Sequence, residues 1–325
     1  MVSSEPRFQV VEGWEQLPAG WAHPDTAAVA VDAAGQVFVF HRGEHPLIVY
    51  GAGGDLVRSW GDGEFTPQAH GITAAPDGSL YCTDRDHHTV RQFTPEGRLL
   101  LTLGTPNTPS DTGADHAAYR TVKHPGGPFN CPTNLAVAPS GDLYVSDGYS
   151  NCCVHRFSAD GKLKQSWGMP GTGPGEFNLV HGIAVTPDGR VFVCDRENDR
   201  VQIFDLDGHF LDQWIDVQRP TQIVFDPQGW AYVSELPWPA GSITAAGRTV
   251  EAPEHARISI FDSQGQVLTR LGGPDPMTLG SFAAPHGLAI DSRGDLYVAE
   301  VAATAAANGW SPVGHATLQK FARVR

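Results

Sequence analysis

Positive charge is what this sequence has least of. Lys and Arg number 22 against 36 Asp and Glu in 325 residues, a formal net charge of −14. Nucleic acid and an anionic membrane surface both call for a basic patch, so neither is expected as a partner. An anionic small ligand stays open, because a few local arginines or a metal can override the global field. Long hydrophobic runs are absent too. No stretch approaches the ~18 apolar residues of a membrane span, and the opening MVSSEPRFQVVEG has no apolar core of a secretory signal. Cysteine is sparse: Cys82, Cys131, Cys152, Cys153 and Cys194 are odd in number and lack metal-site spacing. Cys152 and Cys153 are adjacent, a pair that rarely bridges to itself. A reduced, cytoplasmic protein is the expectation. Turn formers are abundant instead, with 37 Gly and 25 Pro, and the 41% hydrophobic content suffices for a core.

The order behind those turns is a repeat. A unit of a short apolar strand, a Gly turn, an alternating strand usually ending in an acid, a strand ending in Phe and, in most copies, a strand ending in Trp-Gly or Leu-Gly recurs, with six copies in all. The copies span about 27–61, 70–104, 134–168, 181–214, 222–272 and 286–325. Four short strands per copy make a propeller blade. The last copy stops after its third strand, and Phe8–Trp14 can supply the missing outer strand. That closure removes the sheet edges an open ring would expose. The chain therefore reads as all-β, one six-bladed β-propeller domain over 1–325. Two β-sandwiches would not explain the sixfold repeat or the truncated last copy.

Three copies open on His-Gly: His70-Gly71, His181-Gly182 and His286-Gly287. Each histidine lies eight residues before its turn glycine (Gly78, Gly189, Gly294). The equivalent slots of copies one, three and five hold Ala27, Thr133 and Thr221. Alternate blades of a six-fold ring are 120° apart, and innermost strands line the tunnel. The three imidazoles are thus expected to converge on the axis as a facial metal site with an open position. Zn2+ is the default for such a donor set, with Fe2+ or Mn2+ as alternatives. A mere consensus at the strand start would not respect strict alternation.

Arg42, Arg85 and Arg196 lie seven residues after a turn glycine, and Tyr149 lies eight after one. These second-strand ends reach the same face as the histidines. Arginines beside a metal can clamp a carboxylate. A tyrosine beside them can have its pKa lowered and act as a base. The acid six after the glycine (Asp84, Asp147, Asp195, Glu235, Glu300, replaced by His41 in copy one) reads as a structural acceptor of backbone N–H groups. Three stretches break the rhythm, 105–130, 236–256 and 301–315, and are expected to wall a pocket on that face and set its specificity.

The motifs FHRGEH, CPTNLAV…SDGYSN and VHGIAV…CDREN, with the histidine turns, resemble the NHL-repeat propellers, and among them peptidyl-α-hydroxyglycine α-amidating lyase. The likeness runs from about residue 30 onward. It implies zinc on His70, His181 and His286, a catalytic Tyr149, and substrate arginines at Arg42 and Arg196; Arg85 has no matching role. Where that family has an aspartate that helps hold a structural calcium, this chain has Gly287, which argues against that ion here. Cys131 sits at one family disulfide position, but its partner position is Ser150. The resemblance implies a metal-dependent lyase that cleaves an N-acyl hemiaminal such as an α-hydroxyglycine to an amide and glyoxylate. The partner would be a small carboxylate-bearing substrate, and the protein a monomer. Two other readings stand beside it: a lyase or lactone/ester-type hydrolase acting on another small metabolite at the same metal, and a non-catalytic NHL binding propeller.

Overall fold

The computed structural model describes residues 5–324. Six four-stranded antiparallel sheets form its blades. The innermost strands are Thr26–Val31, Ala69–Ala74, Pro132–Val137, Val180–Val185, Pro220–Phe225 and Pro285–Ile290, each packed against those of the two adjacent blades. The chain is a six-bladed propeller. In blade six the strand order is Arg7–Val10, Leu318–Val324, Leu296–Glu300, Pro285–Ile290, so an N-terminal outer strand closes the ring. That strand is shorter than the 8–14 expected from sequence. Trp14 leaves it to pack edge-on against Tyr297 (5.2 Å) and Tyr50 (5.8 Å), stapling blade six to blade one.

Local chemistry explains the blades. The glycine between first and second strands is left-handed in all six copies, with φ of 82–86° at Gly35, Gly78, Gly141, Gly189, Gly229 and Gly294. Only glycine adopts that conformation freely. The second strands (VFVFH, LYCTD, LYVSD, VFVCD, AYVSE, LYVAE) are buried at every position, since a neighbouring blade covers each face. Outer strands such as Leu56–Trp60 and Leu163–Trp167 are exposed or half-buried at every position. The Trp ending an outer strand packs on the Phe ending the third strand of the next blade: Trp60 on Phe93 (5.1 Å), Trp167 on Phe204 (5.9 Å), Trp214 on Phe261 (5.0 Å). Each buried phenylalanine contributes about 1.5–3 kcal/mol relative to exposure.

The strand-end acids do what their position suggests. Asp84, Asp147, Asp195, Glu235 and Glu300 are wholly buried. They accept the backbone N–H of Thr66, Asn130, Asn178, Gln218 and Ala283 respectively, at 2.7–2.8 Å. Each acid thereby ties the segment entering a blade to that blade's second strand. In blade one His41 takes this place: its Nδ1 accepts Gly43 N–H (3.1 Å) and its Nε2–H donates to His45 O (2.9 Å).

The first-to-second strand pairing is irregular at the start of every inner strand. Pairing skips Ala27, His70, Thr133, Thr221 and His286, and in blade four the skip spans His181 and Gly182. A bulge re-aims a side chain. Here it frees the slot residue from the ladder at the mouth of the tunnel.

Candidate metal centre

His70, His181 and His286 meet on the propeller axis. Each pair of ring centroids is 4.7 Å apart, so the rings form an equilateral triangle. One nitrogen from each lies within 4.8 Å of the others. All three residues are at most 5% exposed. Their other nitrogens are fixed by the neighbouring blade. Nδ1 of His70 lies 2.7 Å from Thr133 O, that of His181 2.6 Å from Thr221 O, and that of His286 2.7 Å from Ala27 O. A carbonyl only accepts, so each Nδ1 carries the proton and donates. Each Nε2 then presents its lone pair, the tautomer a metal ligand needs. Burial, together with neighbouring rings and guanidiniums, holds His70 and His181 well below the usual imidazole value. Burial followed by Arg42 lowers His286 to about 3. Three neutral imidazoles with converging lone pairs fit a divalent cation.

The glycine after each histidine has its reason here. A Cβ on Gly182 would lie 2.6 Å from Thr221 O and 2.7 Å from Gln222 Cα; on Gly71, 2.6 Å from Thr133 O; on Gly287, 2.6 Å from Ala28 Cα. The missing side chain lets the next blade bring its carbonyl to the histidine. His-Gly thus pairs a candidate ligand with the clearance for its latch.

Tyr149 stands at the rim of the triad. Its hydroxyl is 3.4 Å from Nε2 of both His70 and His181, and Arg196 Nη1 donates to it at 3.1 Å. The guanidiniums of Arg85 and Arg196 lie 5.0 and 5.4 Å from its ring centroid. Burial alone would raise the phenol pKa. Arg196, Arg85 and Arg42 outweigh it, and the net shift is downward. Gly148 explains how Tyr149 gets there: any Cβ on it would collide with the Val180 carbonyl. The chain hugs blade four, and Tyr149 takes the place that Arg42, Arg85 and Arg196 hold in their own blades.

The arginines are held by one edge each. Arg42 Nε donates to Ala69 O (3.2 Å), and its Nη1 faces Asp25 and Thr304 (both 3.4 Å). Arg85 Nε is bound by Asp86 (2.8 Å), and Arg196 Nε by Glu197 (2.8 Å). All three line a cavity of about 530 Å³ over the triad, together with Tyr149, His286 and Trp310. The opposite end of the tunnel is an apolar funnel of about 570 Å³, lined by residues such as Ile72, Leu135, Ile183 and Leu288.

The structure thus brings together every residue singled out from sequence: His70, His181, His286, Tyr149, Arg42, Arg85 and Arg196. Sequence reasoning missed Asp25, Glu197, Arg219 and Trp310. Arg219 lines the cavity and shares Glu197 with Arg196, with its Nη2 2.9 Å from that carboxylate. Both arginines hold Glu197 ionised, outweighing the upward push of its burial. A signal for Arg219 existed. Two positions upstream of the axial slot stand Asp25, Gln68 and Arg219 in copies one, two and five, and all three line the cavity. The pocket wall needs a correction. Segments 236–256 and 301–315 reach the cavity through Leu236 and Val301–Trp310, but nothing from 105–130 lines it. That stretch packs behind the site, where Tyr119 approaches Glu197 (3.5 Å) and His116 approaches Cys131.

His88, His116 and Cys131 form a second group with metal-capable atoms. Its chemistry differs. His88 Nδ1 already accepts the Cys131 N–H (3.1 Å), so its lone pair is used and its other nitrogen carries the proton. Of the two groups found among the described residues, the axial triad is the one whose latches leave every outward lone pair free.

Comparison with known proteins agrees with this architecture. The NHL repeat model matches residues 129–157 and 177–204, blades three and four. Human NHL repeat-containing protein 3 is 31% identical over 312 residues, 89% of this chain and 82% of that protein. The chain belongs to the NHL-repeat family. This NHL propeller is also 27% identical over 321 residues to peptidyl-alpha-hydroxyglycine alpha-amidating lyase 1 of Drosophila melanogaster, covering 84% of this chain and 54% of that one. A gluconolactonase from Xanthomonas campestris shares the fold at a TM-score of 0.62 and 15% identity, covering 99% and 96% of the two chains.

Proposed function

We propose that this NHL propeller is a metal-dependent lyase that cleaves the C–N bond of an N-acyl-α-hydroxyglycine, releasing an amide and glyoxylate. One observation carries the reading: three Nε2 lone pairs converge within 4.8 Å beside a tyrosine whose phenol is flanked by three guanidiniums. The kinship with the Drosophila lyase supports the same substrate class. Zinc on His70, His181 and His286 would supply Lewis acidity, easing ionisation of a hydroxyl brought to it. Arg42 and Arg196 hold the substrate carboxylate and align the carbon that bears the hydroxyl. Tyr149 Oη, as phenolate, takes the hydroxyl proton. The oxygen's electron pair becomes the aldehyde C=O as the C–N bond breaks. Tyr149 then returns its proton to the departing amide nitrogen, so proton and charge balance over the turn. Glu197 keeps Arg196 and Arg219 at the wall, and the blades exclude bulk water from the axis.

A lactonase built on an axial calcium held by carboxylates and amides, as distinct from a hydrolase at this same metal, finds no such donors in the axial slots. The six axial slots here hold Ala27, His70, Thr133, His181, Thr221 and His286. The test is elemental analysis plus turnover of N-benzoyl-α-hydroxyglycine with glyoxylate as readout. About one zinc per chain with glyoxylate release is expected from three protein ligands and an open position. His181→Ala should lose both. Retention of stoichiometric metal by His181→Ala overturns the ligand assignment. Metal without glyoxylate from any α-hydroxyglycine overturns the reaction. Iron or manganese in place of zinc changes only the metal's identity.

A further inference from the structure

We propose that the cleft beside the catalytic cavity is an acyl subsite, and that the preferred substrate carries an apolar, ring-sized acyl group on its amide nitrogen. This rests on the lyase reading and deepens it. The cleft has a volume of about 260 Å³ and is lined by Trp238, Pro253, Pro276, Phe282, Trp310 and Ala240, among others. It is smaller than the ~300–1,000 Å³ of a whole-ligand site and suits one ring or a short alkyl chain. Its lining is mostly aromatic, proline and alanine, with ionisable side chains only at Glu254 and His255. Arg248 neutralises Glu254 at 2.6 Å.

The cleft adjoins the cavity over the triad. Trp310 lines both. Leu236 faces the cavity and Pro237, next in the chain, faces the cleft. Between the two stands Arg219, whose guanidinium lies 4.5 Å from the Trp238 ring and 5.1 Å from that of Trp310. The wall is preformed. Asp199 Oδ1 accepts the Trp238 indole N–H (2.9 Å) and the Arg219 backbone N–H (2.8 Å), and the excursion folds on itself through the Trp238–Glu254 and Ile243–Thr249 bridges. Both excursions that leave blades five and six contribute to it. A substrate held by its carboxylate at Arg42 and Arg196 must send its acyl end away from the axis. Toward blades five and six that path ends on Trp310, Leu236, Val301 and Ala303, an apolar side of a cavity otherwise rich in arginine.

The test is kcat/KM for glyoxylate release from N-acetyl- and N-benzoyl-α-hydroxyglycine, using the zinc-loaded protein. The benzoyl substrate should exceed the acetyl one by about tenfold or more, the worth of a few apolar carbons in a pocket. Ala240 is solvent-exposed at the cleft, so Ala240→Trp narrows the cleft without disturbing the core. That variant should cut the benzoyl-to-acetyl ratio by about fivefold or more, whereas a general loss of fold would lower both rates together. Equal kcat/KM for the two substrates, or a ratio that survives Ala240→Trp, overturns the subsite while leaving the reaction standing. No glyoxylate from either substrate overturns the reaction, and the subsite with it.

Discussion

Gly182→Ala should weaken the metal centre without touching a ligand. The added methyl would sit 2.5 Å from Gln222 Oε1, 2.6 Å from Thr221 O and 2.7 Å from Gln222 Cα. Two of these belong to backbone, so the inner strand of blade five must retreat bodily. Reaching a tolerable contact needs a shift of about 0.4–0.8 Å, and forced overpacking of this kind costs about 1–3 kcal/mol. Thr221 O is also the acceptor for His181 Nδ1 at 2.6 Å. Retreat of that size lengthens the bond to about 3.0–3.4 Å, from an ordinary distance to one beyond hydrogen-bonding range. His181 then loses the partner that fixes its tautomer and orientation, and loss of such a partner typically lowers metal affinity about 10–100-fold. The assay is competition for zinc with a chromophoric chelator, beside thermal melting of the metal-free protein. A drop in both is expected. Wild-type zinc affinity in a variant whose melting temperature has fallen would refute the latch argument, since strain would then be present without any effect on the ligand.

Other outcomes follow from the same geometry. Tyr149→Phe should keep its zinc, because the hydroxyl is not one of the three donors, yet lower kcat by about 100-fold or more, as loss of a general base does; unchanged turnover would remove Tyr149 from proton transfer. Acid should destabilise the fold through His41. Burial, with His23 adding to it, lowers its pKa from 6.5 to about 4, so the unfolded chain takes the proton first as pH falls. The stability present above pH 6.5 is lost toward pH 4, by at most about 3 kcal/mol for this one ring. Structurally, protonation takes away the Nδ1 lone pair that accepts Gly43 N–H. His41→Asn should flatten that limb of the stability–pH curve, and superimposable curves would refute the assignment.

The propeller was legible in the sequence because its determinants are local and repeated. A turn glycine that must be left-handed, a mostly apolar second strand and, in five copies, a buried acid six residues on recur at fixed offsets, so alignment of the copies exposes them. The axial triad was legible for the same reason: histidine in alternate copies is a pattern in one dimension whose consequence in three is convergence. Tyr149 and the three arginines sit at repeat positions next to these and came with them. The outer strand at Arg7–Val10 was found but drawn too long, because Trp14 is as apolar as a strand residue while packing between two blades. The length of segment 105–130 and the face it leaves from point to the pocket wall, but neither says which way a loop folds back.

What the chain order could not contain is contact between blades. The latch that fixes the tautomer of His286 is the carbonyl of Ala27, at the other end of the chain. The reason for Gly148 is the carbonyl of Val180, in the next blade. Glu197 matters through Arg219, and Arg219 through indoles supplied by two separate excursions. Sequence by itself determined which side chains stand at the tunnel mouth, since that depends on position within a repeat. Tertiary structure decided which nitrogen of each histidine is free, how low the Tyr149 phenol lies and where an acyl chain finds apolar cover. Those depend on distances of a few ångströms between segments that only closure of the ring brings together.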